Sequence, residues 1–364
     1  MAACTSIAGS CRLRTSNGSD LIEALSAAVR EAAARGLPLR IEGGGTRAFH
    51  GRPVTGEPLS MAGHSGVIDY DPSELVITVR AGTPLAGVEA LLDAERQMLC
   101  FEPPSFGPAG TIGGAVATGL SGPRRPFAGA LRDYVLGARV LDGRGEVLRF
   151  GGTVFKNVAG FDAFRLMAGA HGCLGAILDV SLRVTPKPRA EAALVFDMAG
   201  EAARTWVTGL MRRPLPLSGA FHDGARLHLR LSGGETAVAV TARELGGEAE
   251  ALEVWRSIRD MTHPSCTASP VLWRIALPQT AAPPELDRAA WDWGGGVRWL
   301  AAERIDPAVW HLAAKWDGHA TLWRGAEDQV FQSLAPPIFK LHQRLKAALD
   351  PAGVFNPGRM YEGL

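Results

Sequence analysis

The stretch Pro103-Pro-Ser-Phe-Gly-Pro-Ala-Gly-Thr-Ile-Gly-Gly-Ala-Val-Ala-Thr-Gly-Leu-Ser-Gly122 is unusually poor in large side chains. Its prolines impose an extended approach. The small residues Gly110, Thr111, Gly113, Gly114, Ala115, Ala117, Thr118 and Gly119, with Ile112 among them, then let a bulky ligand come close to the backbone. A core strand would carry β-branched or aromatic side chains, and each interior glycine costs a helix about 1 kcal/mol relative to alanine. Neither regular element explains the composition. The segment reads as a ligand-facing loop, with a long glycine-rich surface loop as the alternative.

Two further segments join it. Residues 38–41 form a short strand signal that runs into Glu42-Gly43-Gly44-Gly45-Thr46-Arg47. Three successive glycines expose N–H groups in a concave array suited to a phosphate or diphosphate, and Arg47 adds charge; a flexible turn is the alternative reading. Gly169, Gly172 and Gly175 precede an expected strand over 177–184 and allow the backbone to lie against a ring or ribose. Gly43-Gly44-Gly45 is not followed by a convincing helix, so the strand-to-helix Gly-x-Gly-x-x-Gly of a Rossmann site is absent. Together the three segments suit a dinucleotide on a non-Rossmann fold.

Size and composition bound the rest. A chain of 364 residues exceeds the usual single-domain size, and 46% apolar with 21% charged residues is ordinary for a globular protein. The 38 Lys and Arg nearly balance the 37 Asp and Glu, which disfavours nucleic acid as a partner. Five scattered cysteines contain no Cys-x-x-Cys, arguing against a disulfide framework, a cysteine zinc site or an iron-sulfur cluster bound by this chain. No metal site is expected. The first nineteen residues lack the apolar run of a secretory signal, and no later segment has the length of a membrane span, so a cytoplasmic protein with a disordered 1–19 tail is expected.

Along the chain, Asp20 and Glu23 have capping-box spacing ahead of a helix that stops at Gly36. Strands are expected at 67–70 and 75–81, then a helix capped by Thr83 with Pro84 as its first residue. Residues 134–141 and 146–150 read as a hairpin around Asp142-Gly143-Arg144-Gly145. Thr185-Pro186-Lys187-Pro188 reads as a domain exit. All nine tryptophans lie beyond it, where strands at 192–196, 227–231, 271–277 and 296–300 and helices near 201–211 and 248–259 suggest an α+β unit. A terminal helix spans about 337–349. The expected domains are 20–188, 189–335 and a closing segment 336–364.

The residues also carry a resemblance. Glu42-Gly43-Gly44-Gly45-Thr46, Thr111-Ile112-Gly113-Gly114, Lys156-Asn157-Val158-Ala159-Gly160-Phe161-Asp162, His171-Gly172-Cys173-Leu174-Gly175-Ala176-Ile177 and Asn356-Pro357-Gly358-Arg359 resemble the vanillyl-alcohol-oxidase (PCMH-type) FAD-binding family. Gly122-Pro-Arg-Arg-Pro126, Gly318-His-Ala-Thr321 and the closing 355–361 are similar to FAD-binding subunits of bacterial glycolate oxidases. The resemblance implies an α+β fold: a two-subdomain FAD-binding domain, a smaller α+β cap domain, and a C-terminal helix returning to the first. It places diphosphate on Gly43, Gly44, Gly45, Thr46 and Arg47 and on 110–114. Thr111, Gly113, Gly114, Ala117 and Thr118 would line diphosphate and flavin, and Gly172, Gly175 and Ile177 the adenosine half. The flavin ring would lie toward the second domain.

The implied reaction oxidises a small 2-hydroxy acid, glycolate, to glyoxylate. The implied partners are a larger FAD-linked subunit and an iron-sulfur subunit, through which the chain would meet a membrane peripherally. Neither glycine loop has the His or Cys that covalent attachment uses, so FAD is expected to be noncovalent. Where related dehydrogenases have a His-Gly-Asp-Gly-Asn-x-His segment, this chain has Trp316-Asp-Gly-His-Ala-Thr-Leu322 and keeps one imidazole. His319 is the candidate base, a packed histidine being its alternative. Arg124 and Arg125 are candidates for the substrate carboxylate, with a subunit contact or solvated corner as alternatives. Lys156 would pair with cofactor or with an acid. A catalytically silent FAD-binding relay subunit, and a stand-alone flavin reductase, are the competing functions.

Overall fold

The computed structural model describes residues 3–7, 10–14, 20–152, 163–286, 289–325 and 329–364. The Lys156–Asp162 segment therefore lies outside the described residues, and with it the expectation for Lys156. The chain forms two units. One holds the residues up to Leu120, Ala130–Pro186 and Ser333–Leu364; the other holds Ser121–Gly129 and Lys187–Gln332. A single division at Pro188 does not foresee the excursion of Ser121–Gly129 into the second unit.

In the first unit a seven-stranded antiparallel sheet has the order Ala3–Ile7, Ser10–Arg14, Val67–Asp71, Val76–Arg80, Ala176–Arg183, Val135–Leu141, Val147–Gly151. The strand Ala176–Arg183 lies inside it, buried on both faces. The two polar side chains it buries are satisfied: Asp179 accepts from Arg139 Nε at 2.6 Å, and Ser181 shares a 2.9 Å hydroxyl contact with Thr78. The expected disordered tail is corrected here. Ala3–Ile7 and Ser10–Arg14 pair with each other and, through Leu13 and Tyr70, extend the edge of the sheet, where an unpaired ladder is open to them.

Helix Ile22–Arg35 buries Leu25, Val29 and Ala32, spaced at i, i+4 and i+7 as its sequence stripe requires. Asp20 does accept from the Ile22 N–H at 3.1 Å, although the cap position itself is Leu21. Helix Leu85–Ala94 buries Leu85, Val88 and Leu92. Thr83 does not cap it; its hydroxyl turns back to the Arg80 carbonyl at 2.6 Å. Helix Pro336–Leu349 is tied in by Lys346, whose buried ammonium donates to Asp350 at 2.7 Å and to the carbonyls of Cys173, at 2.8 Å, and Phe355. Leu39–Glu42 pairs in parallel with Glu57–Ser60.

The second unit is an eight-stranded antiparallel sheet ordered Glu248–Glu250, Ala190–Asp197, Arg226–Gly233, Leu217–His222, Ala290–Asp292, Val297–Ala302, Val271–Ala276, His319–Arg324. Helices Gly200–Leu210, Glu235–Leu245 and Ala308–Lys315 accompany it. The tryptophans serve its packing: Trp273 is fully buried and meets Trp310 edge to face at 4.7 Å. No helix among the described residues is long and apolar enough to cross a membrane.

Candidate functional site

The strand Leu39–Glu42 carries the first glycine loop and is held in place by the C-terminal segment. Leu39 N–H donates to the Val354 carbonyl at 2.7 Å, and Asn356 N–H returns to the Leu39 carbonyl at 2.9 Å. The Asn356 side chain accepts from Ile41 N–H at 2.8 Å. Beyond the strand, the N–H groups of Gly43, Gly44, Gly45 and Thr46 donate to no other group among the described residues. Such an array of open N–H groups is what a diphosphate's oxygens bind. The far side of the loop is fixed by Arg359, which donates to the carbonyls of Arg52 at 2.6 Å, Ala48 at 2.9 Å and His50 at 3.1 Å.

The second segment corrects the expectation of an irregular loop. Ile112–Thr118 is a helix, with the Thr111 hydroxyl accepting from Gly114 N–H at 3.2 Å. Its glycines are tolerated because they let the helix press on its neighbours: a Cβ on Gly113 would sit 2.6 Å from the Ala81 Cβ. Ile112 and Gly113 spend their N–H groups on the carbonyls of Thr83 and Ala81, at 3.0 and 2.8 Å, so they do not offer donors to a ligand. The Ile112 side chain is buried in the core, and Gly110 N–H turns back to Gly107. The two segments still meet. A Cβ on Gly44 would fall 1.5 Å from the Ala109 carbonyl oxygen, and one on Gly43 would fall 2.5 Å from the Thr111 hydroxyl.

The third segment closes the same site. His171 adopts a left-handed φ of 52°, its N–H donates to the Ala117 carbonyl at 2.8 Å, and its own carbonyl accepts from Asn356 Nδ2 at 2.7 Å. Gly172 follows with φ 73°, and a Cβ there would meet Asn356 Nδ2 at 2.6 Å. Burial, followed by the nearby Arg359 charge, pushes the His171 pKa down to about 3, so the imidazole is neutral; it stacks on His50 with ring centroids 5.0 Å apart. Burial pushes the Cys173 thiol up to about 11, which makes it a packing group rather than a nucleophile.

Two cavities in this unit share Ile41, Gly43, Thr111, Gly114, Ala117, His171 and Asn356 as walls. Gly44, Gly45, Thr46, Arg47 and Thr118 line one; Gly113, Gly172, Gly175 and Ile177 line the other. The structure thus brings together every candidate cofactor residue except Gly110 and Ile112, which support the walls from behind. Arg47 is largely committed to the site's frame, its guanidinium donating to the Pro104 carbonyl and to Thr46 Oγ1 at 3.3 Å. The open donors, the absent Cβ atoms and the arginines Arg40, Arg47 and Arg359 in the lining fit an FAD diphosphate and its flanking rings.

The candidate catalytic residues fall in the second unit. Arg124 is buried and paired with Glu191 at 2.8 Å, so its charge is already matched. Arg125 lies over Trp293, its guanidinium carbon 4.3 Å from the ring centroid, and Arg274 lies over the same ring at 4.8 Å. Burial and the Arg125 charge bring the Arg274 pKa down to about 10, leaving it a cation at neutral pH. His319 opens the edge strand and is exposed; desolvation by its surroundings and the Arg274 charge hold its pKa below the ordinary imidazole value. Sequence reasoning missed Arg274 and Trp293, though a lone arginine inside Val-Leu-Trp-Arg-Ile-Ala was a visible exception to an apolar strand. It also left Asn356 and Arg359 as motif residues without a role.

The chain matches a family model described as FAD binding domain over residues 20–151. It is 45% identical over 346 residues to glycolate oxidase subunit GlcE of Escherichia coli, covering 95% of this chain and 99% of that one. Glycolate oxidase subunit GlcD of Bacillus subtilis is 29% identical over 51% of this chain and 40% of its own. Among solved structures, an alkyldihydroxyacetonephosphate synthase superposes with a TM-score of 0.67 at 16% identity, over 93% of this chain and 76% of that one, a likeness of fold.

Proposed function

Because the chain belongs to the FAD-binding oxidoreductase family that contains glycolate oxidase subunit GlcE, we propose that it is the corresponding FAD-binding subunit of a glycolate-oxidising complex. The observation that carries the reading is the set of open N–H groups at Gly43, Gly44, Gly45 and Thr46, walled by the Thr111 helix and by Asn356.

Glycolate becomes glyoxylate by losing two electrons and two protons. Bound FAD supplies the two-electron acceptor. The chain's own part is to hold the cofactor: Gly43, Gly44, Gly45 and Thr46 donate to its diphosphate, while Gly172, Gly175 and Ile177 flank its adenosine half. Neutral His171 adds no charge to the wall. The likeness to glycolate oxidase subunits supports a chain that works beside partner subunits, and the proposed route takes electrons to them: a larger FAD subunit and an iron-sulfur subunit. Any membrane contact of the complex is peripheral and made through those partners.

Substrate chemistry on this chain requires a cation for the carboxylate and a base for the hydroxyl proton. We assign the cation to Arg274, which shares the Trp293 ring with Arg125 and acts electrostatically on His319, and the base to His319. The pairing of Arg124 with Glu191 favours a second reading, in which the chain binds FAD and relays electrons without touching substrate. Dye-linked glycolate oxidation by the assembled complex separates the two. Arg274→Met with raised KM, and His319→Ala with lowered kcat and undiminished flavin, support substrate chemistry here; unchanged turnover in both variants assigns the relay.

A further inference from the structure

Far along the chain from the FAD loops, the second unit assembles a cluster that flavin chemistry does not use. Asp223 sits in the turn after strand Leu217–His222, His228 lies within strand Arg226–Gly233, and His263 precedes the short helix Pro264–Thr267. Both histidines are buried. One ring nitrogen from each and one carboxylate oxygen of Asp223 lie within 4.8 Å of one another.

We infer that Asp223, His228 and His263 form a binding site for a divalent transition-metal cation, with zinc as the cation its donor set suits best. Two nitrogens and one carboxylate oxygen are a three-ligand zinc set that leaves a further position for water. His228 Nε2 lies 3.3 Å from Asp223 Oδ2, against the roughly 3.4 Å that separates two ligands about 2.0–2.1 Å from a tetrahedral ion. The other nitrogen of His228 faces Glu250 Oε2 at 2.8 Å, the carboxylate support that fixes the tautomer of a metal-bound imidazole.

His263 is supported in the same way. Its Nδ1 lies 2.9 Å from Ser265 Oγ. Ser265 N–H also donates to that nitrogen at 3.3 Å, so ligation through Nε2 requires Nδ1 to take up the proton and donate it to Ser265 Oγ. Phe221 packs against both rings, with centroids at 6.0 Å from His228 and 5.2 Å from His263, and limits their rotation. The site joins three separate segments of the second unit, so a bound ion would tie them together. This proposal does not depend on the assignment of FAD or substrate.

The test uses the full-length chain stripped with a chelator, then titrated with Zn²⁺ at pH 7.5 against a chromophoric competitor. One Zn²⁺ per chain is expected, with affinity falling at least 100-fold in His263→Gln and in Asp223→Asn, and about 10–100-fold in Glu250→Gln. Near-UV circular dichroism reports folding. Should His263→Gln fail to fold, the near-isosteric Asp223→Asn gives the same reading. Substitution with Co²⁺ is expected to produce visible d–d bands that Asp223→Asn removes. Less than stoichiometric Zn²⁺ on the wild-type chain, or equal affinity in the folded variants, overturns the site.

Discussion

Asn356 Nδ2 donates to the carbonyl of His171 at 2.7 Å while its Oδ1 accepts from Ile41 N–H at 2.8 Å, so one amide joins the first and third cofactor segments. The group is buried, and both contacts are made by backbone that borders the candidate FAD site. Replacing it leaves two buried backbone groups unmet.

Asn356→Ala is accordingly expected to destabilise the first unit by about 2–4 kcal/mol, each orphaned group costing about 1–3 kcal/mol, and to lower the FAD retained on purification. Urea unfolding and the flavin-to-protein absorbance ratio measure the two effects. A variant with wild-type flavin content and a shift below about 0.5 kcal/mol would show that Asn356 is incidental.

The neutral state of His171 gives a signed pH dependence. Its pKa of about 3 in the folded chain lies below the ordinary 6.5, so the unfolded chain binds the extra proton. The stabilising contribution is complete above pH 6.5 and is lost as pH falls through 3. Relative to wild type, His171→Asn, whose side chain tolerates the left-handed φ, is expected to remove up to about 1.4 kcal/mol per pH unit of acid sensitivity in that window. Parallel stability curves for the two proteins between pH 6 and 4 would contradict it.

Lys346 and Asp350 form a buried ion pair that also satisfies the Val354 and Phe355 N–H groups. Lys346→Met leaves the Asp350 carboxylate without its cation and is expected to cost about 3–5 kcal/mol. Chemical denaturation reads this directly, and a cost under 1 kcal/mol would mean that solvent reaches the pair.

The Thr111 hydroxyl caps the helix Ile112–Thr118 and stands against Gly43. Thr111→Val keeps the volume and removes the cap, so it is expected to cost about 1 kcal/mol and to weaken FAD binding by a smaller factor than any change at the first glycine loop. Calorimetric Tm and FAD titration together check the order of effects.

Much of this was legible in the sequence, for identifiable reasons. The helix ending at Gly36, the hairpin around Asp142–Gly145 and the strand Ala176–Arg183 carry local signals strong enough to survive tertiary context. The helix Ile112–Thr118 did not, because its glycines look costly until Ala81 is seen packed against Gly113. Strand Leu217–His222 was hidden for a related reason: Ser218 and Gly219 break its apolar pattern, yet Ser218 bonds Ser232 at 2.6 Å and Gly219 makes room for Trp255. Asn356 and Arg359 act more than three hundred residues from Ile41 and Arg47, a distance that no local pattern spans. Arg124 showed the opposite failure, a charge that looked available and proves to be paired with Glu191.

Titration of FAD into apo-protein carrying Gly44→Ala, beside wild type, tests the cofactor assignment most directly, because the new Cβ would fall 1.5 Å from the Ala109 carbonyl oxygen and force the open N–H groups apart. Wild type is predicted to bind one FAD per chain, released intact by heat or acid, and the variant to bind at least 100-fold more weakly while remaining folded. Equal affinity in the two proteins would contradict the placement of the diphosphate on the Gly43–Thr46 loop.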